Sequence, residues 1–191
     1  MSISIADALK EATAALDRAG VADARREASS LLSHVVDRDR TFLISHAEDQ
    51  LDDAQLQRFE EIVVRRGTGE PAQYITGMQD FFGRSFRVTP DVLIPRPETE
   101  LLVEAALQVM NGNAAICDVG TGSGCIAITL LCERTDVRAV ALDVSEAALE
   151  VARENVRPYS VEERIQLKVS DLFSACDSST EQFDLIISNP P

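Results

Sequence analysis

From Ala114 onward the sequence alternates short apolar runs with helical stretches: "AICDV", a helix over 124–133, "RAVALD", a helix over 145–155, "RIQLKVS", a loop rich in Ser and Thr, and finally "FDLIIS". Few topologies accept this order. Strands separated by a helix cannot close as hairpins, so each connection crosses over in a right-handed sense and the strands lie parallel. The expected fold over 97–191 is therefore α/β, a Rossmann-like sheet with helices on its faces. Three consecutive apolar residues in the last strand, Leu185, Ile186 and Ile187, predict a strand covered on both faces with neighbours on both sides.

The first 72 residues follow a helical period. Ile5, Leu9, Ala12 and Leu16 form one apolar stripe that Gly20 ends, and Asp23 is placed to cap a second helix through Leu31, Leu32 and Val35. A short helix around Phe42 and another from Asp53 to Arg66, stopped by "GTGEP", complete a small bundle. Residues 73–96 read as a linker containing a β-hairpin, with two aromatic or β-branched runs either side of Gly83. Pro97 suits the first turn of a helix whose apolar positions are Leu101, Leu102, Ala105 and Val109.

The 191 residues, 45% of them hydrophobic, are enough for a sizeable core. A formal net charge of −14 opposes a broad nucleic-acid groove, where affinity comes from Lys and Arg displacing counterions. A small molecule or a protein is the expected partner. No apolar run is long enough for a membrane span and no signal peptide is readable, so a cytoplasmic location is expected. Cys117, Cys125, Cys132 and Cys176 form no C-x-x-C pair, which favours reduced thiols used as small packing residues over a zinc site. His34 and His46 have no partner at useful spacing and read as packing or surface residues.

The chemistry concentrates in "DVGTGSGC", between the first parallel strand and its helix. Gly120, Gly122 and Gly124, with Thr121 and Ser123 between them, leave out side chains where the chain must turn tightly and a ligand must touch backbone. Glycine-rich turns are common, and two carboxylates sharpen the signal. Asp143 ends the second strand, where it can accept both hydroxyls of a ribose, which fits a nicotinamide dinucleotide or S-adenosylmethionine. Asp118 separates the two. A carboxylate two residues before the first glycine repels a pyrophosphate and attracts the ammonium of a methionyl group. Cys125, standing where a dinucleotide fingerprint wants its third glycine, agrees. S-adenosylmethionine is therefore the expected cofactor.

"FDLIIS" is followed by Asn189, Pro190 and Pro191. In a doubly wound sheet the ligand lies beyond the strand ends at the switch point, which places Asn189 opposite the glycine loop. Proline keeps Asn189 out of the helical region and offers no N–H, so the Asn189 side-chain oxygen and the Pro190 carbonyl form a stiff rim of acceptors. Such a rim suits an –NH2 whose lone pair is delocalised, as in a carboxamide or the exocyclic amine of a base.

"GEPAQYITG", "FRVTPDVLIPRPETELLVE", "DVGTGSGCIAI", the Asp143 segment and "FDLIISNPP" together resemble the HemK-type (PrmC) glutamine methyltransferases that modify peptide chain release factors. The resemblance spans essentially the whole chain. It implies an S-adenosylmethionine-dependent methyltransferase sheet and methylation of the side-chain amide of the glutamine in the Gly-Gly-Gln motif of class 1 release factors, with the N-terminal bundle docking that protein. It also implies that Asp118, Gly120 to Gly124, Asp143 and Asn189 hold the cofactor, with Leu172 in "SDLF" beside its adenine, and that Asn189, Pro190 and Pro191 hold the glutamine. Members of this family continue past the second proline with an aromatic residue and further strands, so the chain is expected to be a truncated member. The other readings from sequence are a related enzyme acting on a ribosomal protein glutamine or a nucleic-acid adenine, and a cofactor-binding fragment without turnover.

Overall fold

The computed structural model describes residues 3–177, 179 and 181–190. The chain divides into two compact units, Met1–Thr76 and Gly77–Pro191.

The first unit is helical: α1 Ile5–Arg18, α2 Ala24–Val36, α3 Arg40–Ser45, α4 Asp53–Gly67 and α5 Ala72–Thr76. Short polar side chains start three of them. Ser4 Oγ accepts from the Asp7 N–H, Asp39 Oδ1 accepts from the Phe42 N–H, and Asp52 and Gln55 form a reciprocal capping box. Asp23 departs from expectation. It holds the position before α2, but at φ 52° in the left-handed region, and its side chain makes no capping bond. In α1 the buried line is Ile5, Ala8, Ala12 and Leu16, while Leu9 is half-buried. Spacings of three and four residues put Ala8 on that line, one position round the helix from Leu9. Leu16, Leu31 and Leu32 are fully buried in the bundle core, each contributing roughly 1.5–3 kcal/mol by leaving water. His34 packs half-buried, and burial, with the nearby Arg58 charge, lowers its pKa below the usual imidazole value.

The second unit begins with the hairpin β1 Met78–Phe81 and β2 Arg84–Arg87. Phe82 and Gly83 form its turn at φ 51° and 71°, the two-residue geometry whose twist matches that of the strands. The segment 73–96 is thus shared out: α5 belongs to the first unit, and the hairpin to the second, whose core holds Phe81 and Phe86. A single 3₁₀ turn, Pro97–Thr99, leads into α6 Glu100–Val109. The buried face of α6 is Val103 and Ala106, with Leu101 and Val109 exposed, contrary to the stripe expected from sequence. The segment "ELLVEAALQV" is apolar around most of its circumference, so spacing alone does not choose a face.

The sheet follows, with β3 Ala115–Val119, α7 Cys125–Glu133, β4 Arg138–Asp143, α8 Glu146–Val156, β5 Ile165–Val169 and β6 Leu185–Ser188. All four strands are parallel, in the order β5-β4-β3-β6. The chain winds outward from β3 through β4 to β5, then returns to the other side of β3. The switch point therefore lies between the ends of β3 and β6, where Val119 is in register with Ser188. Every residue from Cys125 to Leu131 is buried, because α7 packs against α6, α8, β3 and β4. The Cys117 and Cys125 thiols are buried, and burial pushes both up to about 12, so they stay neutral. Among the described residues β6 pairs with β3 alone, and it is covered unevenly: Ile187 is buried while Ile186 is 55% exposed. No helix among the described residues is long and apolar enough to cross a membrane.

Candidate active site

The loop after β3 is shaped by backbone bonds to the end of β4. The N–H groups of Gly120 and Thr121 both donate to the Leu142 carbonyl, at 2.8 and 2.9 Å, and the Gly124 N–H donates to the Thr121 carbonyl at 2.9 Å. Gly120 and Gly124 are needed for different reasons. Gly120 has φ 73° and nothing within 4 Å of where a Cβ would stand, so conformation alone requires it and the space over it is open. At Gly124, φ is 80° and a Cβ would also lie 2.9 Å from Ile128 Cδ1 and 3.3 Å from Ala152 Cβ. There the glycine lets α7 and α8 approach.

Asp118 and Asp143 flank this loop. Asp118 is fully buried, with Oδ2 accepting from the Thr121 hydroxyl at 2.7 Å and Oδ1 without a hydrogen-bond partner. Burial pushes its carboxyl up to about 6, opposed by the Thr121 hydroxyl and the Ala127 N–H and helped slightly by the charge of Asp143. A buried carboxyl oxygen with nothing to bond is costly unless a donor or cation completes it. Asp143 uses both oxygens on the backbone: Oδ2 accepts from the Gly122 N–H at 2.9 Å and Oδ1 from the Ser145 N–H at 3.0 Å. It thus holds the glycine loop as well as ending β4, while each oxygen keeps a second lone pair for a ligand hydroxyl.

Leu172 lies in the loop after β5 at φ 50°, 64% exposed. That loop is tied to the site through the Ser170 N–H, which donates to the Asp143 carbonyl at 2.9 Å, and the Ser170 hydroxyl, which donates to the Leu172 carbonyl at 2.8 Å. Two further apolar side chains are exposed beside these residues, Val144 directly after Asp143 and Phe173 directly after Leu172. For Val144 the signal in the sequence was adjacency to a carboxylate at a strand end; Phe173 carries no such signal.

On the other side of the switch point the Ser188 hydroxyl donates to the Val119 carbonyl at 2.8 Å, tying the end of β6 to the end of β3. Asn189 follows at once. Its Nδ2 donates to Thr99 Oγ1 at 3.0 Å. Asn189 and Pro190 line a cleft of about 480 Å³ with Leu93, Arg96, Thr99 and Leu102. Pro191 lies outside the described residues.

Three residues not singled out from sequence hold these parts in place. Thr99 meets Asn189. Glu100, half-buried, accepts the Phe82 N–H at 2.7 Å and anchors the start of α6 to the hairpin turn. Asn155, buried on α8, donates to the Arg87 and Ser123 carbonyls at 3.0 and 2.9 Å and accepts from the Arg87 N–H at 2.7 Å.

Comparison with known proteins adds an independent finding. Residues 7–77 match the model of the PrmC N-terminal domain and residues 97–191 that of the methyltransferase small domain. The chain is 42% identical over 191 residues to the release factor glutamine methyltransferase of Koribacter versatilis, covering 99% of this chain and 67% of the relative. It is 46% identical over 186 residues to the protein of the same name from Cereibacter sphaeroides, covering 97% and 65%. A bifunctional methyltransferase of Rickettsia conorii is 36% identical over 217 aligned residues, covering 100% of this chain and 41% of the relative. Among solved structures, an S-adenosylmethionine-dependent methyltransferase from Geobacter sulfurreducens in complex with S-adenosyl-L-homocysteine aligns at 22% identity and a TM-score of 0.40, over 49% of this chain and 36% of that one. The chain spans about two thirds of the length of the release factor methyltransferases it matches. With both domain models met in order and 42–46% identity sustained along nearly its whole length, the chain belongs to the release factor glutamine methyltransferase family.

Proposed function

We propose that this protein transfers a methyl group from S-adenosylmethionine to the side-chain amide nitrogen of the glutamine in the Gly-Gly-Gln motif of class 1 peptide chain release factors. The observation that carries this reading is the position of Asn189, set at the switch point one residue past the end of β6 and lining a cleft. The residues of the glycine loop fit the cofactor. The orphaned, buried Asp118 Oδ1 matches a methionyl ammonium, Asp143 has lone pairs for ribose hydroxyls, and exposed Leu172 matches an adenine face.

When bound, the cofactor supplies a methyl group on a sulfonium: the new N–C bond forms from the amide lone pair, the S–C pair stays on sulfur, and one N–H proton leaves to water. The chain's own task is to prepare the amide nitrogen, whose lone pair is delocalised into the carbonyl. Asn189 Oδ1 and the Pro190 carbonyl accept its two N–H bonds. That aims the lone pair and favours the pyramidal, more cationic nitrogen of the transition state over the planar ground state. Proline at 190 leaves no N–H to compete for these acceptors. Residues 1–72 dock the protein substrate, and the reaction belongs to the cytoplasm, where release factors act.

The test is mass spectrometry of a release factor incubated with S-adenosylmethionine and the protein. One added methyl on the tryptic peptide that carries Gly-Gly-Gln, located on glutamine by fragmentation, is expected. Its absence, or a methyl placed elsewhere, overturns the reading.

A further inference from the structure

The two ends of a carboxamide are chemically opposite, since the oxygen only accepts and the –NH2 only donates. Turning the group by 180° exchanges them with almost no change of shape, so packing cannot choose between the two arrangements. At Asn189 the choice decides whether a substrate –NH2 is received or repelled. In the structure Nδ2 is turned to Thr99 Oγ1, at 3.0 Å.

We propose that Thr99 is a positioning residue, whose hydroxyl holds the Asn189 carboxamide with Oδ1 toward the substrate nitrogen. This rests on the reading of Asn189 as the amide acceptor. A hydroxyl can donate or accept, but only one pattern closes when an amide –NH2 occupies the cleft. If Nδ2 faced the substrate, two donors would meet and Thr99 would consume the oxygen that the substrate needs. With Thr99 accepting from Nδ2, Oδ1 is released to the substrate and no two donors face each other.

Both partners are themselves fixed, so the torsion of the carboxamide is the freedom left to set. Thr99 is buried, β-branched and therefore stiff at χ1, and its N–H donates to the Arg96 carbonyl at 3.0 Å within the 3₁₀ turn that Pro97 opens. The next residue, Glu100, is tied to the Phe82 N–H. Asn189 is restricted by the proline that follows it and anchored by the Ser188 bond to Val119.

The experiment compares Thr99→Val, which keeps the shape and removes the hydroxyl, with Thr99→Ser, which keeps the hydroxyl. In single-turnover methylation of a class 1 release factor at saturating substrate and cofactor, Thr99→Val slows transfer about three- to tenfold, the worth of one hydrogen bond. Thr99→Ser restores most of the rate, and calorimetric S-adenosylmethionine affinity is the same in both. Thr99→Val placed on Asn189→Ala adds no further loss, because the group it positions is gone. A slow Asn189→Ala beside a Thr99→Val of wild-type rate, or full additivity of the two, overturns the proposal and leaves the reading of Asn189 intact. A near-normal rate for Asn189→Ala overturns that reading and the proposal with it. A readout without turnover is the pair of ¹⁵N-resolved side-chain amide protons of Asn189: their exchange with solvent rises at least fivefold in Thr99→Val and stays near wild type in Thr99→Ser. Unchanged exchange in Thr99→Val likewise overturns the proposal.

Discussion

The two rims of the site are built on opposite plans. In the glycine loop each residue from Gly120 to Gly124 has a backbone group in a hydrogen bond, to Leu142, Asp143, Thr121 or Asn155. Past the end of β6, the Asn189 side chain is held, among the described residues, by one bond to Thr99. The loop proposed to receive the cofactor is therefore fixed by the fold before any ligand arrives, with the N–H groups of Gly120, Thr121, Gly122 and Gly124 already spent on shaping it. The rim proposed to receive the substrate depends on a side chain from a distant part of the chain. Damage to the loop should appear as lost binding, and damage to the rim as lost chemistry.

That division can be broken most directly at Asn189. Asn189→Ala should lower the single-turnover methylation rate by about 10²–10³, the usual loss for one group aimed at developing charge, while calorimetry gives S-adenosylmethionine affinity within about threefold of wild type. Equal losses in both measurements would erase the distinction between the rims. On the loop side, Asp143→Ala should weaken cofactor binding about tenfold or more, since it removes a charge-assisted acceptor worth roughly 1.5–3 kcal/mol and frees the Gly122 and Ser145 N–H groups. Its single-turnover rate at saturating cofactor should fall far less.

The smallest effect sharpens the comparison through pH. With Asp118 held at about 6, its carboxyl is charged above that pH and neutral below it. A cation pairs with the charged form, so cofactor affinity should be flat near neutral pH and fall by up to about tenfold per unit below 6, with a second fall above about 8 where an α-ammonium gives up its proton. Asp118→Asn should bind more weakly and lose the acid-side slope. The sign for stability is opposite. A raised carboxyl pKa means that the folded protein keeps a proton which the unfolded chain releases near 3.8, so this group lowers stability as pH rises from about 4 to about 6. Titration calorimetry and thermal unfolding from pH 5 to 8 separate the two trends.

Much of the second unit was legible because its signals are local. Apolar runs, glycines at a strand end and prolines at a helix start each declare themselves within a few residues, and they set the strand order through general rules of handedness. The face of α6 was not legible, since a helix apolar on most sides is oriented only by what it packs against. Asp23 occupied a cap position without capping, because its backbone went left-handed. Asp118 and Asp143 could be picked out by their positions at strand ends, but not the finding that Asp143 spends both oxygens on backbone N–H groups. Thr99 and Asn155 were out of reach for another reason: their partners stand 90 and 68 residues away, and no spacing in the sequence joins them.

Asn155 carries a consequence for how this unit can come apart. One buried amide grips both backbone groups of Arg87 at the end of β2 and the carbonyl of Ser123 in the glycine loop. Fraying of the hairpin at Arg87 leaves this buried amide with unpaired groups beside Ser123, which couples the opening of two segments 36 residues apart in the chain. A ligand that tightens the glycine loop then slows the solvent exchange of the Arg87 N–H, at a position it does not touch. That amide is a natural reporter of occupancy.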